Sequence, residues 1–401
     1  MKYLVLVYDG AADLPGATPG GRTPLAAADK PVLDGLAARA EIGTVLNVPA
    51  GMVPESDTAN LSILSYDPRL YSHGRSPLEA LSMGLTMREE DVAYRANLVA
   101  LSDGPTYAER VMLDHSSGEI TTEEARKLIE ALKAEFDTGS IRFFCGISYR
   151  HCMLWDGGDP AVDFARPHDI IGRAIGPYLP RGAAGAPFRS MMERSADILR
   201  DHPVNRARRE RGQLSADSLW FWSPGKAPAL PAFADKWGLR GTVVCAVDLI
   251  RGIGLAAGMD VPHVPGATGT VDTDYDAKAA CAVRAFEGGA DFVFVHIEGP
   301  DECGHHADAA GKVRCIEEAN RRLLAPLVSY LEGRGEGYRL LLLPDHPTPV
   351  SVRTHTSDPV PYLLYRSDRP GTGVGRFDEE SASGTDHFVG PGTGLLSRLF
   401  A

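Results

Sequence analysis

Arg339-Leu340-Leu341-Leu342-Leu343-Pro344-Asp345-His346-Pro347-Thr348-Pro349-Val350-Ser351-Val352-Arg353-Thr354-His355-Thr356-Ser357-Asp358 passes abruptly from apolar to polar at Pro344. Four consecutive leucines predict a strand buried on both faces. The proline ends it and leaves Asp345 and His346 just beyond its carboxyl end. His355 follows in a loop too rich in Pro, Ser and Thr to be a helix. In open α/β sheets ligands bind beyond the carboxyl ends of strands. One carboxylate beside one imidazole suits a divalent ion such as Zn²⁺ or Mn²⁺. The alternative is a solvated strand-end pair, with His355 satisfied in a turn.

The bulk properties narrow the setting. A chain of 401 residues predicts two or three domains and a large core. Hydrophobic and charged fractions of 44% and 23% are those of an ordinary soluble globular protein. No apolar run approaches the roughly 18–20 residues of a membrane helix. The opening Met1–Asp9 lacks the apolar core and cleavage site of a signal peptide and reads as a first strand. A net charge of −12 argues against a nucleic-acid partner. The basic run Arg206–Arg211 is read as a solvated helix face. Six cysteines without a Cys-x-x-Cys, several inside apolar segments, predict a reduced cytoplasmic protein.

From the first residue onward, strand Tyr3–Tyr8 delivers Asp9-Gly10. Pro24–Ala40 has helical spacing, with Leu25, Ala28, Val32, Leu36 and Ala40 on one face. Ile42–Val48 is a second strand. In Pro54-Glu55-Ser56-Asp57-Thr58-Ala59-Asn60-Leu61, Ser56 and Asp57 open a short helix. Such residues are most often N-caps. The functional reading is a nucleophilic serine at a helix N-terminus, where backbone N–H groups favour an incoming phosphate. Gly74–Ala80 opens another helix, on which Arg75 is either exposed or a holder of anions.

The texture changes over residues 92–215. A capping box at Thr121–Glu124 starts a helix with Ala125, Leu128, Ile129, Leu132 and Phe136 inward. Ile141–Ile147 and Cys152–Trp155 are short strands, and Phe188–His202 is a second amphipathic helix. This is an α+β domain inserted into a larger one made of residues 1–91 and 216–401. Strands Gly241–Val247, Asp291–Ile297 and Val360–Tyr365 then alternate with helices Leu249–Gly258, Asp274–Glu287 and Lys312–Gly333. Asp301 and His305 share a face if their segment is helical. From Arg376 the tail is read as Gly-rich surface.

Asp9, Ser56, Asp301, His305, Asp345, His346 and His355 thus gather at predicted strand ends. They suffice for two metal sites, with the serine as one ligand. Two ions can clamp the entering and leaving oxygens of a phosphoryl transfer and activate the hydroxyl. Cationic side chains are then needed for the phosphoryl group and a substrate carboxylate.

The motifs around Ser56 (Pro-x-Ser-Asp-x-Ala-Asn-Leu-Ser), at Pro300–His305 (Pro-Asp-x-x-Gly-His), Pro344–His346 and Thr354–Thr356 resemble those of the archaeal-type cofactor-independent phosphoglycerate mutases. So do Asp91–Asn97, Ser148–His151, Pro167–Asp169, Val264–Gly269 and Asp272–Tyr275, and the likeness runs nearly the whole chain. That family belongs to the alkaline phosphatase superfamily. The resemblance implies a three-layer α/β/α domain with a mostly parallel sheet, plus the inserted domain. It implies one metal on Asp301, His305 and His355, and a second on Asp9, Asp345, His346 and the nucleophile Ser56. Lys278 would touch the substrate phosphate or metal-bound oxygens. Arg150 and His151 would hold the glycerate portion, with Arg95 a further candidate. The metals would be Mn²⁺, with Zn²⁺, Co²⁺ or Mg²⁺ as substitutes, and the partner a small phosphorylated acid. The expected reaction interconverts 3-phosphoglycerate and 2-phosphoglycerate through phosphoserine, with water excluded. A homoserine kinase-like phosphotransferase or a metal-dependent phosphatase is the alternative. Two departures stand out: Glu55 precedes the nucleophile where the family commonly has glycine, and Ser65 replaces the glycine of a Leu-Gly-Tyr-Asp-Pro segment.

Overall fold

The computed structural model describes residues 1–72 and 74–401. Two compact units emerge, Met1–Ser72 with Ala229–Ala401, and His73–Pro228. The strands in chain order are β1 (Lys2–Tyr8), β2 (Glu41–Val45), β3 (Asp91–Leu101), β4 (Met112–Asp114), β5 (Ile141–Phe144), β6 (Arg150–Asp156), β7 (Ser218–Lys226), β8 (Gly241–Val244), β9 (Phe292–Ile297), β10 (Tyr338–Leu343), β11 (Val360–Arg366) and β12 (Phe388–Val389).

The first unit is built on a sheet of order β12-β2-β11-β10-β1-β9-β8. Strands β10, β1, β9 and β8 run parallel, while β11 is antiparallel to both its neighbours. The leucine run of β10 is buried throughout, as a strand covered on both faces must be. Leu4 and Leu6 of β1 pack with Leu340, Leu342 and the helical residues Leu33, Leu36, Leu323 and Leu327. On the other face Tyr3 meets Phe400, ring centroids 4.8 Å apart. Helices therefore sandwich a mostly parallel sheet. Register aligns the strand exits: Val7 lies opposite Leu343, and Tyr8 opposite Ile297. Asp9, Asp345 and Asp301 leave the sheet at one edge for that reason.

The second unit is an antiparallel sheet centred on β3, which pairs with β4, β6 and β7, with β5 added on β6. Helices Thr122–Phe136 and Gly182–Arg200 cover it through Leu128, Ile129, Leu132, Phe188 and Met192. The Thr121 hydroxyl accepts from the Glu124 N–H at 3.3 Å, capping the first of these helices. This unit begins before residue 92 and ends after 215. Ala80 of helix Arg75–Ser82 packs against Ala93, Cys152 and Leu154, and β7 continues to Lys226.

Some local expectations fail. Pro24–Ala40 is two helices, Pro24–Ala27 and Pro31–Ala37, because Pro31 cannot continue the first. The long helix is interrupted by a π turn, Asn320–Leu324, just ahead of Pro326, whose ring excludes a regular turn. The tail is no surface segment: Phe377, Leu395, Leu396 and Leu399 are buried. Arg208 is also interior rather than solvated, bonded to Glu124 and to the carbonyls of Ser117 and Leu214. Among the described residues no helix is long and apolar enough to cross a membrane.

Candidate metal centre and active site

Each ligand candidate sits where a short-range rule puts it. Asp9 and Asp345 follow strand ends, and Asp301 and His305 occupy one face of helix Gly299–His305. Ser56 is the first residue of helix Ser56–Ile63, and the cap position belongs to extended Glu55. The N-cap reading of Ser56 and Asp57 therefore fails. Asp57 accepts from the Ser72 hydroxyl at 2.8 Å. The Ser56 hydroxyl instead faces His346 Nε2 at 3.3 Å.

Three imidazoles share one hydrogen-bonding logic. His355 Nδ1 donates to the Pro54 carbonyl at 2.6 Å, and His305 Nδ1 to the Arg353 carbonyl at 3.0 Å. Carbonyls only accept, so each ring carries its proton on Nδ1 when neutral and turns a bare Nε2 inward. His346 Nδ1 faces the Thr348 hydroxyl at 3.3 Å. The inward atoms converge. His305 Nε2 and His355 Nε2 are 3.0 Å apart, and lie 3.2 and 3.3 Å from the two Asp301 oxygens. His346 Nε2 is 3.6 Å from Asp9 Oδ1 and 3.5 Å from Asp345 Oδ2. The rings of His346 and His355 stack at 4.0 Å, so the two groups are contiguous.

These donors fit divalent cations. Ligand atoms about 2.1 Å from a tetrahedral ion lie about 3.4 Å from one another, close to the separations seen here. Among the described residues Asp9 Oδ1 is buried without a hydrogen-bond partner. Burial, then Asp345, Asp301 and Glu298, push the Asp9 carboxyl well above the ordinary range. Burial also opposes ionisation of Asp301, yet hydrogen bonds from His305 and His355 hold it well below the usual value. The Asp301 hydrogen bond, against a smaller burial effect, raises His305 to about 9. Crowded carboxylates, with His305 drawn towards its cationic form beside Asp301, ask for positive charge here, which metal ions supply once the inward nitrogens give up their protons. Asp301, His346 and His355 form one potential ligand group, Asp9, Asp345 and His346 a second, and Asp9, Glu298 and Asp301 a third.

Other side chains hold these in place. Asn60 Nδ2 donates to Asp345 Oδ2 at 2.9 Å and to the Ser56 carbonyl at 2.8 Å. The Gly10 and His346 N–H groups donate to Asp345 Oδ1. His296 Nε2 lies 3.2 Å from Asp9 Oδ2. Lys278 is buried, and its Nζ donates to the His296 carbonyl at 2.9 Å. Burial lowers its pKa to about 8. The sequence reading missed Asn60, Glu298, His296 and Thr348. Signals existed: Asn60 lies one helical turn from Ser56, and His296 interrupts an apolar strand.

Arg95, Arg150 and His151 lie in the second unit. Arg95 is buried, pairs with Glu79 at 3.1 Å and lies over the Trp222 ring at 4.7 Å. Among the described residues the Arg150 guanidinium, at the start of β6, makes no hydrogen bond or ion pair. His151 is buried, and its Nδ1 accepts from the Gly146 N–H at 3.1 Å. Burial lowers its pKa to about 3, so the ring is neutral.

Comparisons with known proteins follow the same line. Residues 37–205 match the family model of 2,3-bisphosphoglycerate-independent phosphoglycerate mutase. A protein of Geobacter sulfurreducens, named a probable enzyme of that kind, is 44% identical over 400 residues, spanning 100% of this chain and 99% of its own. One of Methanosarcina mazei, named as the mutase, is 46% identical over 383 residues, with 95% of each chain covered. Among solved structures, a protein of Pyrococcus horikoshii aligns with a TM-score of 0.82 at 27% identity, over 100% of this chain and 96% of its own. A cofactor-independent phosphoglycerate mutase from Thermoplasma acidophilum aligns at 0.67 and 28% identity, over 100% and 99%.

Proposed function

The chain belongs to the 2,3-bisphosphoglycerate-independent phosphoglycerate mutases, and on that premise we propose that it interconverts 3-phosphoglycerate and 2-phosphoglycerate through a phosphoserine on Ser56. The observation that carries this reading is the Ser56 hydroxyl, 3.3 Å from an imidazole whose Nε2 also faces Asp9 and Asp345. Asp301, His305 and His355 would hold one divalent ion, and Asp9, Asp345, His346 and Ser56 the other, with Mn²⁺ the proposed metal. When bound, such ions neutralise phosphoryl oxygens and lower the proton affinity of a serine hydroxyl.

The chain's own groups do the rest. Ser56 Oγ forms a bond to phosphorus as the bond to the glycerate oxygen breaks. That oxygen takes up a proton, and Ser56 has lost one. Arg150 would retain the glycerate carboxylate, its guanidinium, untied among the described residues, being suited to a bidentate pair. His151, buried and neutral, would share with Arg150 in holding the glycerate portion. The other glycerate hydroxyl then attacks the phosphoserine, giving up its proton and releasing Ser56 to be reprotonated. Lys278, cationic below about pH 8, favours the arriving dianion. Water must stay out while phosphoserine exists, or the product is free phosphate. The six unpaired cysteines suit a cytoplasmic enzyme.

The test is a coupled assay, in which 2-phosphoglycerate formed from 3-phosphoglycerate is consumed by enolase, with Mn²⁺ present and neither bisphosphoglycerate nor ATP. The expected result is turnover in the wild type and a loss of about 10³-fold or more in Ser56→Ala. Turnover that needs ATP and homoserine, or release of inorganic phosphate without 2-phosphoglycerate, would replace the mutase assignment. Full activity in Ser56→Ala would remove the phosphoserine.

A further inference from the structure

Thr348 lies between two prolines in the loop after β10, and its side chain is completely buried. Its hydroxyl touches a ligand candidate from each proposed metal subsite: Asp301 Oδ1, to which it donates at 2.5 Å, and His346 Nδ1 at 3.3 Å. A hydroxyl has one proton to give. Given to the Asp301 carboxylate, it leaves only lone pairs for His346, whose Nδ1 must then carry the hydrogen. His346 Nε2 is bare as a consequence, facing Ser56, Asp9 and Asp345.

Two segments of chain are shaped around this one residue. A Cβ on Gly10 would lie 2.5 Å from Thr348 Oγ1. A Cβ on Gly304 would lie 2.3 Å from the Thr348 carbonyl oxygen and 2.7 Å from its Cγ2. Gly10 also has φ +62°, a region open to glycine. The threonine backbone is fixed as firmly. Its N–H donates to the Ala12 carbonyl at 3.3 Å, and its carbonyl accepts from Lys312 Nζ at 2.8 Å. Fully buried Lys312 is itself paired with Asp13 at 2.8 Å. A residue that merely filled a loop would not need glycines on two neighbouring elements and a buried ion pair beneath it.

We propose that Thr348 is a positioning residue joining the two metal subsites, one hydroxyl orienting Asp301 in the first and setting the imidazole tautomer of His346 in the second. The proposal rests on the two-metal reading above. Partners that orient metal ligands typically change metal affinity by about 10–100-fold when removed. Because this hydroxyl serves both subsites, its loss weakens both together.

The experiment is a Mn²⁺ titration of metal-free protein, with free Mn²⁺ read by electron paramagnetic resonance, on wild type, Thr348→Val and Thr348→Ser. The wild type is expected to take up two ions. Thr348→Val should also bind two, with both dissociation constants raised about 10–100-fold, while Thr348→Ser should recover most of the loss. An unchanged Val titration, or a change in one constant alone, overturns the role of Thr348 and leaves the two-metal reading standing. A wild type that binds fewer than two ions overturns that reading, and this proposal with it. Should Thr348→Val not fold, imidazole ¹H–¹⁵N spectra of the wild type decide: His346 protonated at Nδ1 is expected, and the Nε2–H tautomer overturns the assignment.

Discussion

At the carboxyl edge of the first unit's sheet, each of the three converging imidazoles is tied at Nδ1, to Pro54, Arg353 or Thr348. In the second unit the Arg150 guanidinium has no tie at all among the described residues. Both regions carry charge suited to a ligand, but they prepare for it in opposite ways. Ligands to a resident cation gain from being held with lone pairs inward, since any freedom they keep is entropy lost on binding. A group that takes up and releases a substrate in each turnover keeps its donors free. Arg95 is intermediate, paired with Glu79 and lying over Trp222. On this comparison it supports the second region more than it contacts a ligand.

The contrast can be broken most sharply at Asp301. Asp301→Asn leaves a similar shape but removes the charge that faces His305 and His355. Mutase activity should fall about 10³-fold or more, with one Mn²⁺ lost from the stoichiometry measured by titration. Retention of both ions would mean that the first region does not depend on its carboxylates.

Arg150→Ala is the matching cut in the second region. KM for 3-phosphoglycerate should rise about 10–100-fold, with kcat changed by about threefold at most and Mn²⁺ affinity unchanged. A fall in metal affinity would erase the distinction between the regions.

Lys278 sharpens the comparison through pH. Burial lowers its pKa to about 8, so the cation proposed to favour a phosphate dianion is lost as pH rises through that value. KM should climb by about tenfold per pH unit above pH 8, and the climb should start later in Lys278→Arg. Stability runs the other way. The unfolded lysine holds its proton to a higher pH than the folded one. The cost of burying the cation is therefore present in full below about pH 8 and fades as pH rises from there to the ordinary lysine value. Calorimetry of metal-free protein should show this relief, and Lys278→Met should abolish it.

The smallest effect is expected at Ser65. Its φ of 63° is left-handed, a backbone conformation that glycine adopts without strain. Its hydroxyl donates to the Thr393 carbonyl at 2.6 Å. Ser65→Gly relieves the backbone but gives up that bond, so thermal stability should change by about 1 kcal/mol or less. A larger loss would mean that the hydroxyl matters more than the backbone conformation.

Legibility in the sequence followed the range of the forces involved. The leucine run before Pro344 and the apolar segments Tyr3–Tyr8 and Asp291–Ile297 announced strands because burial on both faces leaves no polar alternation. Their polar exits announced the ligands. Asp301 and His305 were readable as one helical face from spacing alone. The tail from Arg376 was misread because its few apolar residues, Phe377, Leu395, Leu396 and Leu399, are too scattered to form a periodic pattern, and their burial depends on neighbours far away in the chain. Pro31 and Pro326 broke helices whose apolar spacing continued undisturbed. Asn60, Glu298 and Thr348 were passed over because amides, carboxylates and hydroxyls are abundant on every surface, and only a partner's position distinguishes them.

By itself the sequence determined the kind of fold, the residue types at the strand ends and the class of chemistry they permit. Those depend on local composition and on which side chains can ligate a cation. Only the tertiary structure decided which nitrogen of each imidazole faces inward, and that one threonine touches both ligand groups. Hydrogen bonds are short and directional, and the acceptors for His355 and His346 are placed by the packing of segments that begin 301 and 2 residues away. Even the near neighbour is held in reach by Lys312 and Ala12, contacts that no spacing rule encodes.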